Sequence, residues 1–133
     1  MALTVVADTR LLLAFKFPPT KETKQRIVSL MEESLRRGLL VPSIVVTEFI
    51  KLAGKRLGEE AALIFLKELT TRRATIIAID EKVAIEAGKL ALRHWDVPIA
   101  DILIGATTLV HHAGHIVSDD QHFKQMKLKT KWF

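Results

Sequence analysis

Short apolar runs alternate with longer segments of helical periodicity along this chain. The runs at residues 2–7, 39–41, 74–79 and 116–117 are nearly continuous and rich in β-branched residues. This pattern is typical of strands that are buried on both faces of a parallel sheet. The alternation of such strands with amphipathic segments predicts an α/β domain with helices on both faces of the sheet.

The segments between the runs carry the signals of helix starts and stops. Helices are predicted from residue 10, over 20–37, from 43 past 52, over 59–73, over 81–93 and after Pro98, and Asp80 is predicted to cap the fifth. The helix at 20–37 has its apolar positions on one stripe, which predicts a single buried face. Residues 126–133 are predicted to form either a short edge strand or a tail docked on the core.

Composition narrows the classes of protein that remain. The 133 residues predict one domain, 1–133, and no apolar run approaches the length of a membrane span, so a cytoplasmic protein is expected. The absence of cysteine excludes disulfides, iron–sulfur clusters and thiolate metal sites. A formal net charge of +5 favours an anionic partner such as nucleic acid.

Carboxylates stand at places where a parallel sheet binds ligands. Asp8 ends the first strand, Asp119 and Asp120 follow the last one, and Asp101 lies in the first turn of the helix after residue 98. Glu48 falls within an apolar helix face, where an unpaired charge is costly. Asp8 could instead serve only as a helix cap, and Glu48 could reach solvent from the edge of its stripe.

Several carboxylates brought together repel one another unless a cation joins them. Mg²⁺ and Mn²⁺ are hard ions that prefer oxygen ligands, and such ions can activate water for cleavage of a phosphodiester. We therefore expect Asp8 and Asp101 to be the principal ligands, with Glu48 and Asp120 assisting and Asp119 as the alternative to Asp120. These acids are the candidate catalytic residues.

Two further features bear on the site. Gly105 and Thr108 follow Asp101 on one helical face, and their small side chains predict room for a ligand above the carboxylate. The histidines could suggest zinc, but their spacing favours surface or helix-end positions; they include His111, His112, His115 and His122.

The motifs at residues 6–9, 46–48, 99–106 and 117–123 resemble those of PIN-domain ribonucleases of the VapC toxin type. The resemblance implies a three-layer α/β/α domain with a central, mostly parallel sheet of about four to five strands. It also implies an Mg²⁺- or Mn²⁺-dependent endoribonuclease, a homodimer, and a small antitoxin partner that blocks the site. Thr9 and Ser118 stand in its motifs as supporting residues, and Ser118 with Asp120 matches its last acidic motif.

The chain departs from this family at Arg10, where a small hydroxyl or amide residue is usual. Two interpretations remain open. The guanidinium could turn toward the carboxylates and compete with metal, or it could point outward to RNA phosphate or solvent.

Basic and apolar residues outside these motifs lead to two expectations about partners. A basic rim is expected to hold RNA through its phosphates, formed by Lys16, Lys51, Lys55, Arg56 and Lys124. Apolar positions in excess of what a small sheet needs predict a two-fold homodimer; they are Ile27, Leu30, Met31, Leu35, Leu63, Ile64, Phe65 and Leu66.

Two other functional classes compete with a nuclease. A response-regulator receiver domain needs its acid pair after the first strand, whereas here the pair follows a late one. A non-catalytic or RNA-processing protein of the PIN fold, acting as an RNA-binding or interaction module, remains the alternative. Metal binding among the four acids discriminates between the two, since a module without chemistry has no need of the ion.

Overall fold

Five parallel strands form the central sheet of a computed structural model that describes residues 3–133. The strands are β1 (Val5–Ala7), β2 (Leu39–Pro42), β3 (Ala74–Ile77), β4 (Ile116–Val117) and β5 (Thr130–Lys131), in the spatial order β3-β2-β1-β4-β5. The described residues also form the helices α1 (Thr9–Lys16), α2 (Lys21–Arg37), α3 (Ser43–Leu57), α4 (Glu59–Thr70), α5 (Glu81–Arg93), α6 (Ile99–Val110) and α7 (Gln121–Gln125). The predicted α/β/α architecture and parallel sheet are confirmed. Residue 2, the predicted start of the first strand, lies outside the described residues.

The centre of the sheet is the most apolar part of the molecule. All three residues of β1 and both residues of β4 are fully buried, because β1 lies between β2 and β4 and helices cover both faces. Helix α6 packs against β1 and β2 and is buried along most of its length, as its apolar sequence predicts. This packing fixes the ends of β1, β4 and α6 relative to one another.

Local signals explain where two of the helices begin. Thr20 caps α2 by accepting a hydrogen bond from the backbone N–H of Thr23, whose hydroxyl side chain faces the backbone of Thr20 in return. Asp80 caps α5 in the same way, through the N–H of Val83 at 3.0 Å. The predicted helices at 20–37 and 81–93 and the cap at Asp80 are confirmed.

The third strand is shorter and more exposed than predicted. Helix α4 ends at Thr70 rather than 73, and β3 ends at Ile77 rather than 79. Because β3 is at the edge of the sheet, Ile76 is 45% exposed, so the expectation of a strand buried on both faces is wrong here. The C-terminal segment supplies the opposite edge strand, β5, in agreement with one of the two predicted alternatives.

Because the strands are parallel, all their carboxyl ends lie at one end of the sheet and all their amino ends at the other. We call these two ends the carboxyl edge and the amino edge, as distinct from the edge strands β3 and β5. Asp8, Ser43 and Ser118 directly follow the carboxyl ends of β1, β2 and β4 and therefore lie along one edge. Residues that precede the strands lie along the opposite, amino edge. No helix among residues 3–133 is long and apolar enough to cross a membrane.

Candidate metal centre

Asp8 is held in a fixed position at the end of β1. Its carboxylate is buried, with 4% of the residue exposed, and Oδ1 accepts a 2.7 Å hydrogen bond from the N–H of Thr9. Oδ2 accepts a 2.6 Å hydrogen bond from the hydroxyl of Ser118. Asp8 is therefore the N-cap of α1, which was the simpler of its two interpretations. It is also hydrogen-bonded to Ser118, the residue that follows β4.

The turn after β4 places Asp120 beside this pair. The backbone N–H of Asp120 donates to Oγ of Ser118 at 3.0 Å, which leaves the Ser118 hydroxyl proton directed at Asp8. Oδ1 of Asp120 accepts from the N–H of His122 at 2.9 Å and caps the short helix α7. One serine thus links the carboxylate at the end of β1 to the loop that carries Asp120.

Asp101 faces this loop from the first turn of α6. Its Oδ2 lies 3.0 Å from Nδ1 of His122, and the same nitrogen lies 2.8 Å from Oδ1 of Asp120. One ligand atom from each of the three residues falls within 4.8 Å of the others. His122, which the sequence assigns to a surface or helix-end position, is instead a half-buried member of the acidic site.

Glu48 joins the site from α3 through a hydroxyl. Its Oε1 accepts a 2.6 Å hydrogen bond from Oγ1 of Thr9, the residue next to Asp8. Glu48 is half-buried rather than directed into solvent, since the apolar face of α3 packs on the core. Asp8, Glu48, Asp101 and Asp120 therefore lie in one group: Thr9 and Ser118 connect the first, second and fourth of them, and His122 connects Asp101 to Asp120.

Two carboxyls of the site ionise less readily than free carboxyls when no cation binds. Burial raises the pKa of Asp8 from 3.8 to about 6, against the opposing hydrogen bond from Ser118, and the charges of Asp101 and Asp120 raise it further. Burial, followed by the charge of Asp120, also raises the pKa of Asp101, although His122 opposes this. A divalent cation would reverse this effect by stabilising the ionised carboxylates.

The donor set fits Mg²⁺ or Mn²⁺. Carboxylate oxygens are the ligands that both ions prefer, and an imidazole nitrogen is more compatible with Mn²⁺ than with Mg²⁺. Nδ1 of His122 is buried, and among the described residues it has no hydrogen-bond partner of acceptable geometry despite its short contacts. A buried nitrogen between two carboxylates, without a well-aligned partner, is consistent with a ligand to an ion.

Arg10 lies at the rim of this group and faces the acids. Its Nη1 is 2.9 Å from Oδ1 of Asp119, and its Nε is 3.8 Å from Oδ2 of Asp120. Asp119, the alternative fourth acid, is therefore engaged with Arg10, whereas Asp120 faces Asp101 and His122. The Arg10 side chain is 55% exposed, so it lies beside the acids while it also reaches solvent, and its competition with a metal ion stays a prediction.

The space above Asp101 is not free. A Cβ on Gly105 would stand 2.9 Å from Cδ1 of Leu128 and 3.3 Å from Cε of Met126. Residues from the segment before β5 therefore fill the position where the sequence predicts room for a ligand. The absence of a side chain at Gly105 lets α6 pack closely against these residues, and the expectation of room for a ligand above Asp101 is wrong.

The five basic residues of the predicted RNA rim do not form one surface. Lys55 and Arg56 line a cavity of about 560 Å³ together with Arg10 and Asp119, and Lys51 is exposed one turn beyond Glu48 on α3. Lys16 is exposed at the end of α1, beside the ring of Phe65. The side chain of Lys124 instead lines a cavity with Leu3 and His115 at the amino edge, which corrects the expectation of a single rim.

Residues 5–129 match the family model of the PIN domain, so the chain belongs to the PIN domain family. The predicted resemblance to the PIN domain family is confirmed, and the fold is similar to that of VapC-type proteins. The fold is similar to that of VapBC2 from Rickettsia felis bound to a promoter DNA fragment, with 18% identity, 98% of both chains covered and a TM-score of 0.76. It is also similar to VapC20 from Mycobacterium tuberculosis, a toxin that cleaves the sarcin-ricin loop, with 13% identity, 94% and 96% of the two chains covered and a TM-score of 0.77.

A third similar structure is FitAcB from Neisseria gonorrhoeae, with 18% identity, 96% of both chains covered and a TM-score of 0.71. The comparison with curated proteins found no match.

Proposed function

We propose that this protein is a cytoplasmic, Mg²⁺- or Mn²⁺-dependent endoribonuclease that acts as the toxin of a toxin–antitoxin pair. The observation that supports it most is the group of four carboxylates at the carboxyl edge of the sheet. Thr9 and Ser118 link Asp8 to Glu48 and to the loop that carries Asp120, and Asp101 joins the group through its 3.0 Å contact with His122. Two of these carboxyls have raised pKa values because they are buried close to other acids. Membership of the PIN family agrees with this chemistry.

Each residue of the site has a defined task in this proposal. Asp8 and Asp101 are the principal metal ligands, and Asp120, Glu48 and His122 complete or orient the donor set. Ser118 and Thr9 are positioning residues, because their hydroxyls hold Asp8 and Glu48 in place. A divalent ion held by these residues would supply Lewis-acid chemistry at a phosphodiester and activate water for its cleavage.

RNA is the proposed substrate. The chain is basic, and Lys51, Lys55 and Arg56 lie on the helix that also carries Glu48. A phosphate-directed mode of binding suits a chain with no tyrosine and only 6% aromatic residues. VapC20, whose fold is similar, cleaves the sarcin-ricin loop.

A small antitoxin is the proposed protein partner. Similar folds occur in the VapBC and FitAcB proteins of Rickettsia felis and Neisseria gonorrhoeae. In this chain, the cavity of about 560 Å³ beside Arg10 has an apolar wall that includes Leu13, Phe17, Leu52 and Trp132. An apolar segment of an antitoxin bound there would lie next to the metal centre.

The proposed homodimer needs a different face from the one that the sequence suggested. Six of the eight apolar residues expected at the interface are buried within the chain, and only Leu63 and Ile64 are exposed. Leu92, Trp95 and Ile99, between 64% and 85% exposed, line a shallow cavity at the end of α5 and offer a larger apolar surface. Light scattering should give a dimer for the native chain and a monomer for Trp95→Glu, and a native monomer at micromolar concentration would contradict the dimer.

One observation favours the alternative of a non-catalytic RNA-binding or interaction module. The Arg10 guanidinium lies beside Asp119 and Asp120 and offsets part of the negative charge that attracts an ion. In that case the fold would bind RNA without cleaving it.

The deciding experiment is cleavage of defined RNAs with Mg²⁺, with Mn²⁺ and with a chelator. The nuclease proposal expects metal-dependent products that disappear in Asp101→Asn, while Asp119→Asn, an exposed acid engaged with Arg10, retains activity. RNA binding without cleavage under every metal condition would favour the alternative module.

A further inference from the structure

The residues that precede the strands are strongly basic. Arg36 and Arg37 come before β2, the pair at 72–73 comes before β3, and Lys127 and Lys129 come before β5. Because all five strands are parallel, these residues lie along the amino edge of the sheet, opposite the acids that follow β1 and β4. Basic residues are therefore concentrated at the amino edge, where Arg72 is paired with Glu32 at 2.8 Å.

A cavity of about 670 Å³ opens at this amino edge between α2, α7 and β5. Five of the residues that line it are basic or imidazole side chains, and none is acidic: Arg37, His115, Lys124, Lys129 and Lys131. A second cavity, of about 320 Å³, shares His115 and Lys129 with it and adds His112 and Lys127. The positive charge is thus continuous over two neighbouring concave surfaces.

Most of this charge is not neutralised by neighbouring acids. Lys131 pairs with Glu33 at 2.7 Å, and Arg37 donates from Nε to the carbonyl oxygen of Leu3 at 3.2 Å while it keeps its charge. Lys124 and Lys129 form no ion pair within residues 3–133. The pKa of His115 is lowered by burial and then by the charges of Arg37 and Lys131, with only Glu33 opposing them.

An RNA that reaches the metal centre meets a group of carboxylates that repels phosphate unless an ion is bound. Binding energy for the rest of the strand therefore has to come from contacts remote from the reacting phosphate. Lysine and arginine contacts to the backbone supply such energy without reading sequence. The amino-edge cavity offers several unpaired cations for this purpose.

We propose that the amino-edge cavity is a second binding site for the phosphodiester backbone of RNA, separate from the metal centre. This inference rests on RNA being the substrate. The site holds the strand on the far side of the sheet, and its contacts contribute to affinity but take no part in cleavage. Lys124, which was expected in one basic rim with Lys16, Lys51, Lys55 and Arg56, belongs to this second site.

The test compares two double variants that remove the same charge. Lys124→Gln/Lys129→Gln alters the cavity, and Lys82→Gln/Lys89→Gln alters exposed lysines of α5 that line neither cavity. The affinity of each for a fluorescent 20-nucleotide single-stranded RNA is measured by anisotropy in chelator, over a range of salt concentrations. Chelator keeps the RNA intact, so this measurement does not depend on nuclease activity.

The cavity variant should lose about tenfold in affinity at low salt, and its slope of log K against log salt should become shallower by ~1.4, since each single-strand phosphate contact contributes ~0.7. The α5 variant should lose less than about twofold. Equal losses in both variants, or no loss in the cavity variant, would overturn the proposal.

A second measurement keeps the proposal testable if the lysine variants fold poorly. Tripolyphosphate is titrated into the native protein, and the histidine ring resonances are followed by NMR. The resonances of His115 should move at concentrations that leave those of His94, at the end of α5, in place. Movement of both rings together, or of neither, would contradict a phosphate site at the amino edge. Failure of the nuclease proposal is recognised separately, as the absence of metal-dependent cleavage by the native protein.

Discussion

Replacing Asp8 with asparagine should stabilise the protein in the absence of metal while it removes metal binding. The carboxylate of Asp8 is buried near Asp101 and Asp120, and its pKa is raised from 3.8 to about 6. The folded state therefore holds this proton more tightly than the unfolded state does. Ionisation of Asp8 at neutral pH costs the folded state stability, and the asparagine side chain has nearly the same shape without the charge.

The size of the effect follows from the two pKa values. Each change of one in pKa corresponds to about 1.4 kcal/mol, so the rise from 3.8 to about 6 costs about 3 kcal/mol above pH 6. The asparagine amide cannot accept the 2.6 Å hydrogen bond from Ser118 if its nitrogen faces the hydroxyl, which costs about 1 kcal/mol. Asp8→Asn should therefore raise the free energy of unfolding by about 2 kcal/mol at pH 8.

The difference in the free energy of unfolding between Asp8→Asn and the native protein should depend on pH. For a raised carboxyl pKa, the contribution of Asp8 to stability falls as the pH rises from 3.8 to about 6 and is constant above that. Urea unfolding of both proteins is measured in chelator from pH 4 to pH 8. The free energy of unfolding of Asp8→Asn should increasingly exceed that of the native protein as the pH rises over this range. Addition of Mn²⁺ should reverse the order by stabilising only the native protein.

The control is Asp119→Asn, which makes the same chemical change at an exposed acid that pairs with Arg10. This variant should change stability by less than about 1 kcal/mol and should still respond to Mn²⁺. A lower stability of Asp8→Asn at pH 8 in chelator, or an equal response of Asp8→Asn to Mn²⁺, would refute the reasoning.

Three further predictions concern the metal and the RNA. Arg10→Ser removes the cation beside Asp119 and Asp120, so calorimetry should show Mn²⁺ bound severalfold more tightly, and unchanged affinity would exclude a guarding role. His122→Ala should weaken Mn²⁺ binding by about tenfold, whereas His111→Ala, outside the group, should not; equal effects of the two would show that His122 is not a ligand. RNA affinity should fall steeply between low and physiological salt, and an affinity independent of salt would indicate a neutral or protein partner.

Much of the fold could be predicted because apolar runs and segments of helical periodicity alternate regularly along the sequence. The apolar runs before Asp8 and Asp119 are strands buried at the centre of the sheet, where pattern and tertiary environment agree. The position of Asp8 at a strand end then followed from the general geometry of parallel sheets. The exposure of β3 could not be predicted in this way, since an apolar run does not reveal whether its strand lies at the centre or at an edge.

The contacts of the site depend on features that sequence spacing does not encode. His122 enters the acidic group because Asp120 caps α7 and turns the helix toward Asp101, and this depends on the direction of the turn after β4. The helix considered alone has open space beside Gly105. In the fold, Leu128 and Met126 fill this space, and they come from a later part of the chain. The one signal for His122 was its position two residues after Asp120.

The central claim is that the four carboxylates bind the ion that is used to cleave RNA. It is tested most directly by comparing two titrations with Mn²⁺: the ion bound to the protein, measured by electron paramagnetic resonance, and the single-turnover rate of RNA cleavage. Both curves should reach half-saturation at the same Mn²⁺ concentration in the native protein, and both should be lost in Asp101→Asn. Cleavage that persists in Asp101→Asn, or Mn²⁺ that binds this variant as tightly as the native protein, would contradict the claim.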